Sequence, residues 1–69
     1  MRVGIAGYGV VGKTRHASIL KNTSCKVVAI SEKNQQAQML IPPEIEIFNT
    51  YQELISNTEL DIIFISLPN

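Results

Sequence analysis

The sequence has one cysteine (Cys25), one histidine (His16), no tryptophan, two tyrosines and two phenylalanines. A lone cysteine excludes an internal disulfide, and one cysteine with one histidine cannot build a four-ligand structural zinc site. Uninterrupted apolar runs reach only four residues, as in Ile62-Ile63-Phe64-Ile65, far short of the roughly 18 needed to span a bilayer. The N-terminus, Met1-Arg2-Val3-Gly4-Ile5, carries one positive side chain and passes straight into strand-like sequence. It lacks the apolar stretch and small-residue cleavage site of a secretory signal. These shortages point to a cytoplasmic protein in a reducing compartment, without a metal site or a membrane partner.

What remains is 69 residues, 45% hydrophobic and 17% charged. That composition excludes a disordered tail, a collagenous chain and a multi-domain enzyme, and bounds the sequence to one small domain. Residues 1–33 hold all six bases and one acid, Glu32, whereas residues 34–69 hold the other five acids and no base. The bases stand singly, without a basic run or interleaved aromatics, so a positive surround for a bound anion is expected rather than a nucleic-acid face.

Four short apolar runs alternate with polar, helix-compatible stretches. Strands are expected over residues 2–6, 26–30, 44–48 and 61–66. The second and fourth are β-branched or apolar at nearly every position, as in strands buried on both faces of a parallel sheet. The third alternates, which suits a wetter position near a sheet edge. A helix is expected over residues 10–22 with Val10, Ala17, Leu20, Val11 and Thr14 facing inward. A short one over residues 34–40 is halted by Pro42-Pro43. A third follows Thr50-Tyr51-Gln52-Glu53, which has the form of a capping box, with Tyr51, Leu54 and Ile55 forming its apolar face.

The order β-α-β-α-β-α-β, with right-handed crossovers, predicts an α/β, doubly wound parallel sheet of the Rossmann type with strand order 3-2-1-4. In that order the apolar fourth strand would stand unpaired on one side, a template for aggregation. Residues 1–69 are therefore read as the N-terminal part of a longer protein, with later strands absent. A naturally short product would call for stabilisation as a homo-oligomer.

The chemistry lies in Gly7-Tyr8-Gly9-Val10-Val11-Gly12, which fits G-x-G-x-x-G between a strand and a helix, with Glu32 20 residues beyond Gly12. Gly7 permits the tight turn, Gly9 lets a pyrophosphate approach the backbone, and Gly12 lets the helix pack on the strand. The N–H groups around Val10 and Val11 would face the phosphates from the positive end of the helix. Glu32 would accept hydrogen bonds from the adenosine ribose and repel a 2′-phosphate, favouring NAD. Lys33 beside it would suit that phosphate, which keeps NADP open. Tyr8 is expected over the cofactor or along its crevice, His16 as a packing or capping residue, and Cys25 as a packing residue.

Two other readings of the loop exist. It could be a turn shaped only for close packing, with Glu32 an ordinary solvated acid. The string from Gly7 through Gly12-Lys13-Thr14 also fits the phosphate loop G-x-x-x-x-G-K-[ST] of nucleotide hydrolases. In that reading Lys13 contacts phosphates and Thr14 holds magnesium. It leaves Gly9 and Glu32 unexplained, and no strand ends in the aspartate that would supply a second magnesium contact.

The loop, His16 with Leu20, the run Val27-Val28-Ala29-Ile30-Ser31-Glu32 and the terminal Ser66-Leu67-Pro68-Asn69 together resemble the N-terminal part of the glucose–fructose oxidoreductase / inositol dehydrogenase (Gfo/Idh/MocA) family. The resemblance covers all 69 residues. It implies an NAD(P)-dependent oxidoreductase that moves a hydride to or from a sugar or cyclitol. It also implies that Ser66, Leu67, Pro68 and Asn69 lie on the nicotinamide side of the cofactor. The family's Glu-Lys-Pro motif and its acid/base residues do not occur in this stretch, which therefore holds no catalytic residue and is expected to be inactive alone. A non-enzymatic dinucleotide-binding or regulatory module is the alternative.

Overall fold

Runs of β-branched residues that cannot bury themselves locally must pair, and the helical stretches between them must cover the faces so formed. The computed structural model describes residues 1–22, 24–57 and 59–66. Its elements are β1 (Arg2–Ala6), α1 (Val10–Leu20), β2 (Lys26–Ser31), α2 (Gln35–Gln38), β3 (Glu46–Phe48), α3 (Tyr51–Asn57) and β4 (Ile62–Ile65). The strands form one parallel sheet in the order β3-β2-β1-β4, as the sequence predicts. The alternating third strand is an edge, with Ile47 on its exposed side.

One irregularity divides the core. Val3 pairs with Val27, but the next β1 residue, Gly4, pairs with Ala29, so Val28 is an inserted residue that reverses the facing of β2 beyond it. On one face Val3, Ile5, Val27 and Ile30 pack with Tyr8, with Ile19 of α1, and with Ile41 and Ile45. On the other, Leu54 of α3 sits over Ala6 and Ala29, flanked by Val28, Phe48 and Leu60. In an all-apolar strand no periodicity could have shown this shift.

The inward face of α1 differs from the expected one. Gly12, His16 and Ile19 are buried, whereas Thr14, Ala17 and Leu20 are exposed; the side chains of Val10 and Val11 lie outside the described residues. Close approach of Gly12 to the strand fixes the rotation of the helix, and that rotation brings the positions four and seven residues later inward. Helix α3 also buries less than expected. Leu54 is fully buried, but Tyr51 and Ile55 are exposed, because the two alanines opposite leave a slot for a single side chain. Burial of a leucine there stabilises the fold by about 1.5–3 kcal/mol.

The caps follow the sequence. Thr50 Oγ1 accepts the Glu53 N–H at 3.2 Å and donates to Glu53 Oε1 at 3.1 Å. Asn34 Oδ1 accepts the Ala37 N–H at 3.1 Å and starts α2. That helix is shorter than expected because Ile41 turns into the core, and Ile45 does the same just before β3. Strand β4 is fixed at its start by Asp61 Oδ2, which accepts the Arg2 N–H at 2.7 Å. Along β4, the Arg15 guanidinium lies 4.8 Å from the centre of the Phe64 ring. Among the described residues, no helix is long and apolar enough to cross a membrane.

Candidate functional site

The three loop glycines carry three different constraints. Gly7, leaving β1, has φ 97°, a conformation that side-chain-bearing residues rarely adopt, and its N–H donates to the Ser31 carbonyl at 2.8 Å. Gly9 is the N-cap of α1, with φ −78° and ψ −158° and no side-chain cap bond. A Cβ built on Gly9 would meet nothing within 4 Å. Gly12 is the reverse: a Cβ there would come to 2.2 Å from the Gly7 carbonyl oxygen. Gly7 and Gly12 therefore fix the bend, and Gly9 leaves its outer side open. Helix α1 begins at Val10, so its first backbone N–H groups have no acceptor within the helix.

A crevice of about 1000 Å³ opens at this bend, across the carboxyl ends of the strands, where ligands bind in open α/β sheets. Gly7, Gly9 and Lys13 line it on the loop side, Ser31, Glu32 and Lys33 at the end of β2, and Ser66 after β4. Ser66 donates its N–H to the Ala6 carbonyl at 2.8 Å. Its buried hydroxyl has no hydrogen-bond partner among the described residues, so a polar ligand atom there would satisfy it. The expected contacts at Leu67, Pro68 and Asn69 lie outside the described residues.

Glu32 reaches back to the loop. Its Oε1 accepts the Tyr8 N–H at 2.6 Å and its Oε2 accepts the Asn34 N–H at 2.9 Å. Its main chain is held by the Phe48 carbonyl, which takes the Glu32 N–H at 2.8 Å, and by Gln38 Nε2, which donates to the Glu32 carbonyl. It is therefore not an acid free in solvent. Each carboxylate oxygen keeps lone-pair capacity for a further donor.

Tyr8 is not where its sequence position suggested. Its ring does not line the crevice but is buried in the α1-side core. There the phenol meets His16 Nδ1 at 2.8 Å, the two rings edge to face. The reason is the φ of Gly7, which swings residue 8 under the helix. Burial pushes the Tyr8 phenol above its ordinary value. Burial also pushes the His16 imidazole down, against the nearby Glu44 carboxylate, which raises it. His16 is buried in the core, as a packing residue would be, and is also paired with the Tyr8 phenol.

Asn34 and Asn49 line the crevice too, and no motif marked them. Their places just beyond β2 and β3 are the available signal, since loops at the carboxyl ends of parallel strands face the same opening.

The polar groups suit a dinucleotide: helix N–H donors without a side-chain cap beside an open glycine, an accepting carboxylate at the end of β2 and an orphaned hydroxyl after β4. A family model described as the oxidoreductase family with an NAD-binding Rossmann fold matches residues 1–69. The chain is also 27% identical over 70 residues to an uncharacterized oxidoreductase, YdgJ, of Escherichia coli strain K12, covering 100% of this chain and 20% of that protein. It thus spans about a fifth of the length of the curated relative it matches. No solved structure matches it significantly. A match of the NAD-binding model over the whole chain leaves the phosphate-loop hydrolase reading without support. The chain belongs to the Gfo/Idh/MocA family of oxidoreductases and forms part of its NAD-binding Rossmann fold.

Proposed function

We propose that the chain is the cofactor-binding part of a cytoplasmic NAD(P)-dependent oxidoreductase, with NAD preferred, that acts on a sugar or cyclitol. The observation that carries this is the pairing of an open, uncapped helix start at Gly9 with the Glu32 carboxylate in one crevice.

The residues divide the work. Backbone N–H groups at the start of α1 bind the diphosphate, with the helix dipole adding favourable charge. Lys13, exposed on the first turn, adds a second positive group. The Glu32 carboxylate accepts the ribose hydroxyls and disfavours a phosphate at the same position. The Ser66 hydroxyl donates to the nicotinamide half. The bound cofactor supplies the hydride chemistry. The chain's own share is to fix its face and position. The family match and the oxidoreductase relative support this reading.

The test is to titrate the complete protein with NADH and NADPH, following nicotinamide fluorescence, and then to assay cofactor reduction with a panel of sugars and cyclitols. Tighter binding of NADH and turnover of a polyol substrate are expected. Binding of neither cofactor would sink the assignment, and cofactor binding without any turnover would favour a regulatory module.

A further inference from the structure

Tyr8 stands between two glycines that line the crevice, yet its own ring is turned away from it. Its backbone N–H and its phenol hold two different elements. The backbone N–H donates to Glu32 Oε1 at 2.6 Å, tying the loop to the end of β2. The phenol sits 2.8 Å from His16 Nδ1, tying the loop to the second turn of α1. Tyr8 and His16 are 6% and 5% exposed and the contact between the phenol and Nδ1 is buried, so these two atoms depend on each other for a partner. A neutral imidazole with its proton on Nε2 accepts the phenol O–H at Nδ1. Two apolar side chains would fill the same space without the desolvation cost, so packing alone does not account for this pair.

The geometry points to Tyr8 and His16 as a positioning pair. By anchoring the loop to α1, they set the spacing between its open backbone at Gly9 and the Glu32 carboxylate. Dinucleotide affinity, and preference for a ribose with a free 2′-hydroxyl, then depend on two side chains that do not touch the ligand. This rests on the reading of the crevice as a dinucleotide site. A closely packed interior transmits the displacement: when the phenol loses its anchor, Gly7 and Gly9 on either side shift with it, and the Tyr8 N–H leaves Glu32.

The experiment is a titration of the full-length protein with NADH and NADPH in the wild type, Tyr8→Phe, His16→Leu, the double variant and His16→Asn. Tyr8→Phe keeps the ring and removes the donor; the amide oxygen of Asn falls close to the place of Nδ1 and restores an acceptor. Each of Tyr8→Phe and His16→Leu is expected to weaken NADH by about three- to tenfold. The double variant should lose no more than the worse single one, the NADH-to-NADPH affinity ratio should fall in the same variants, and His16→Asn should recover most of both. A merely structural role would lower thermal stability and leave the affinity ratio of the folded protein unchanged. Unaltered NADH affinity and ratio in folded Tyr8→Phe and His16→Leu, beside a wild type that binds NADH, overturns the inference alone. A wild type that binds neither cofactor overturns the crevice reading and this inference with it. Should His16→Leu not fold, the Tyr8→Phe arm decides the question.

Discussion

Gly12 and Gly7 touch so closely that a methyl group on the first would lie 2.2 Å from the carbonyl oxygen of the second. The contact is backbone to backbone, so no side-chain rotation can relieve it. Gly12→Ala should therefore destabilise the complete protein by about 1–3 kcal/mol, as overpacking does, measured as a lowered urea midpoint. Gly9→Ala, at φ −78° with open space around the new Cβ, should leave the midpoint almost unmoved.

Gly9→Asp isolates the ligand from the fold. The side chain has room in the empty crevice, so the variant should remain folded by circular dichroism. It should nevertheless lose NADH binding at least a hundredfold, because a carboxylate then occupies and repels the diphosphate position. Retained affinity in a folded variant would remove the loop from the site.

Glu32→Ala removes an acceptor that already holds the Tyr8 and Asn34 N–H groups. Both cofactors should bind less well, but NADH should fall further, by about tenfold or more, since hydrogen bonds to a charged acceptor contribute roughly 1.5–3 kcal/mol. Parallel titrations with NADH and NADPH check this, and an unchanged ratio between them would refute the ribose role.

The His16 imidazole sets a pH dependence of stability. Burial lowers its folded value below the ordinary one of about 6.5, against the raising effect of Glu44. The unfolded chain then binds more protons in the interval between the two values, so stability rises with pH across it. The contribution is complete above about pH 6.5 and is lost as pH falls through the lowered folded value. Urea midpoints of the wild type should decline over that interval. His16→Phe should show a shallower decline, and an equally steep one would assign the effect to other groups.

How much was legible beforehand depended on the kind of signal. The strands expected over 2–6 and 61–66, the parallel order and the Thr50 cap came from β-branched runs and local hydrogen-bonding chemistry, which act within a few residues. The inward face of α1 was not legible, because Ala17, Leu20 and Thr14 are as plausible on a helix wheel as His16 and Ile19. Contact between Gly12 and the strand made the choice. The position of Tyr8 was missed for a related reason, since its direction is set by the backbone of Gly7 and a partner eight residues away.

The amino-acid order alone determined the alternation of elements, the glycine pattern and the acid that follows the second strand, because these rest on local conformation and fixed spacing. Tertiary structure decided which side chains face the crevice, that Glu32, expected at the ribose, also binds the loop through the Tyr8 N–H, and that Tyr8 and His16 meet in the core. Those outcomes depend on helix rotation and on an inserted residue at Val28. Both follow from steric fit between elements distant in the chain, which no single stretch of sequence contains.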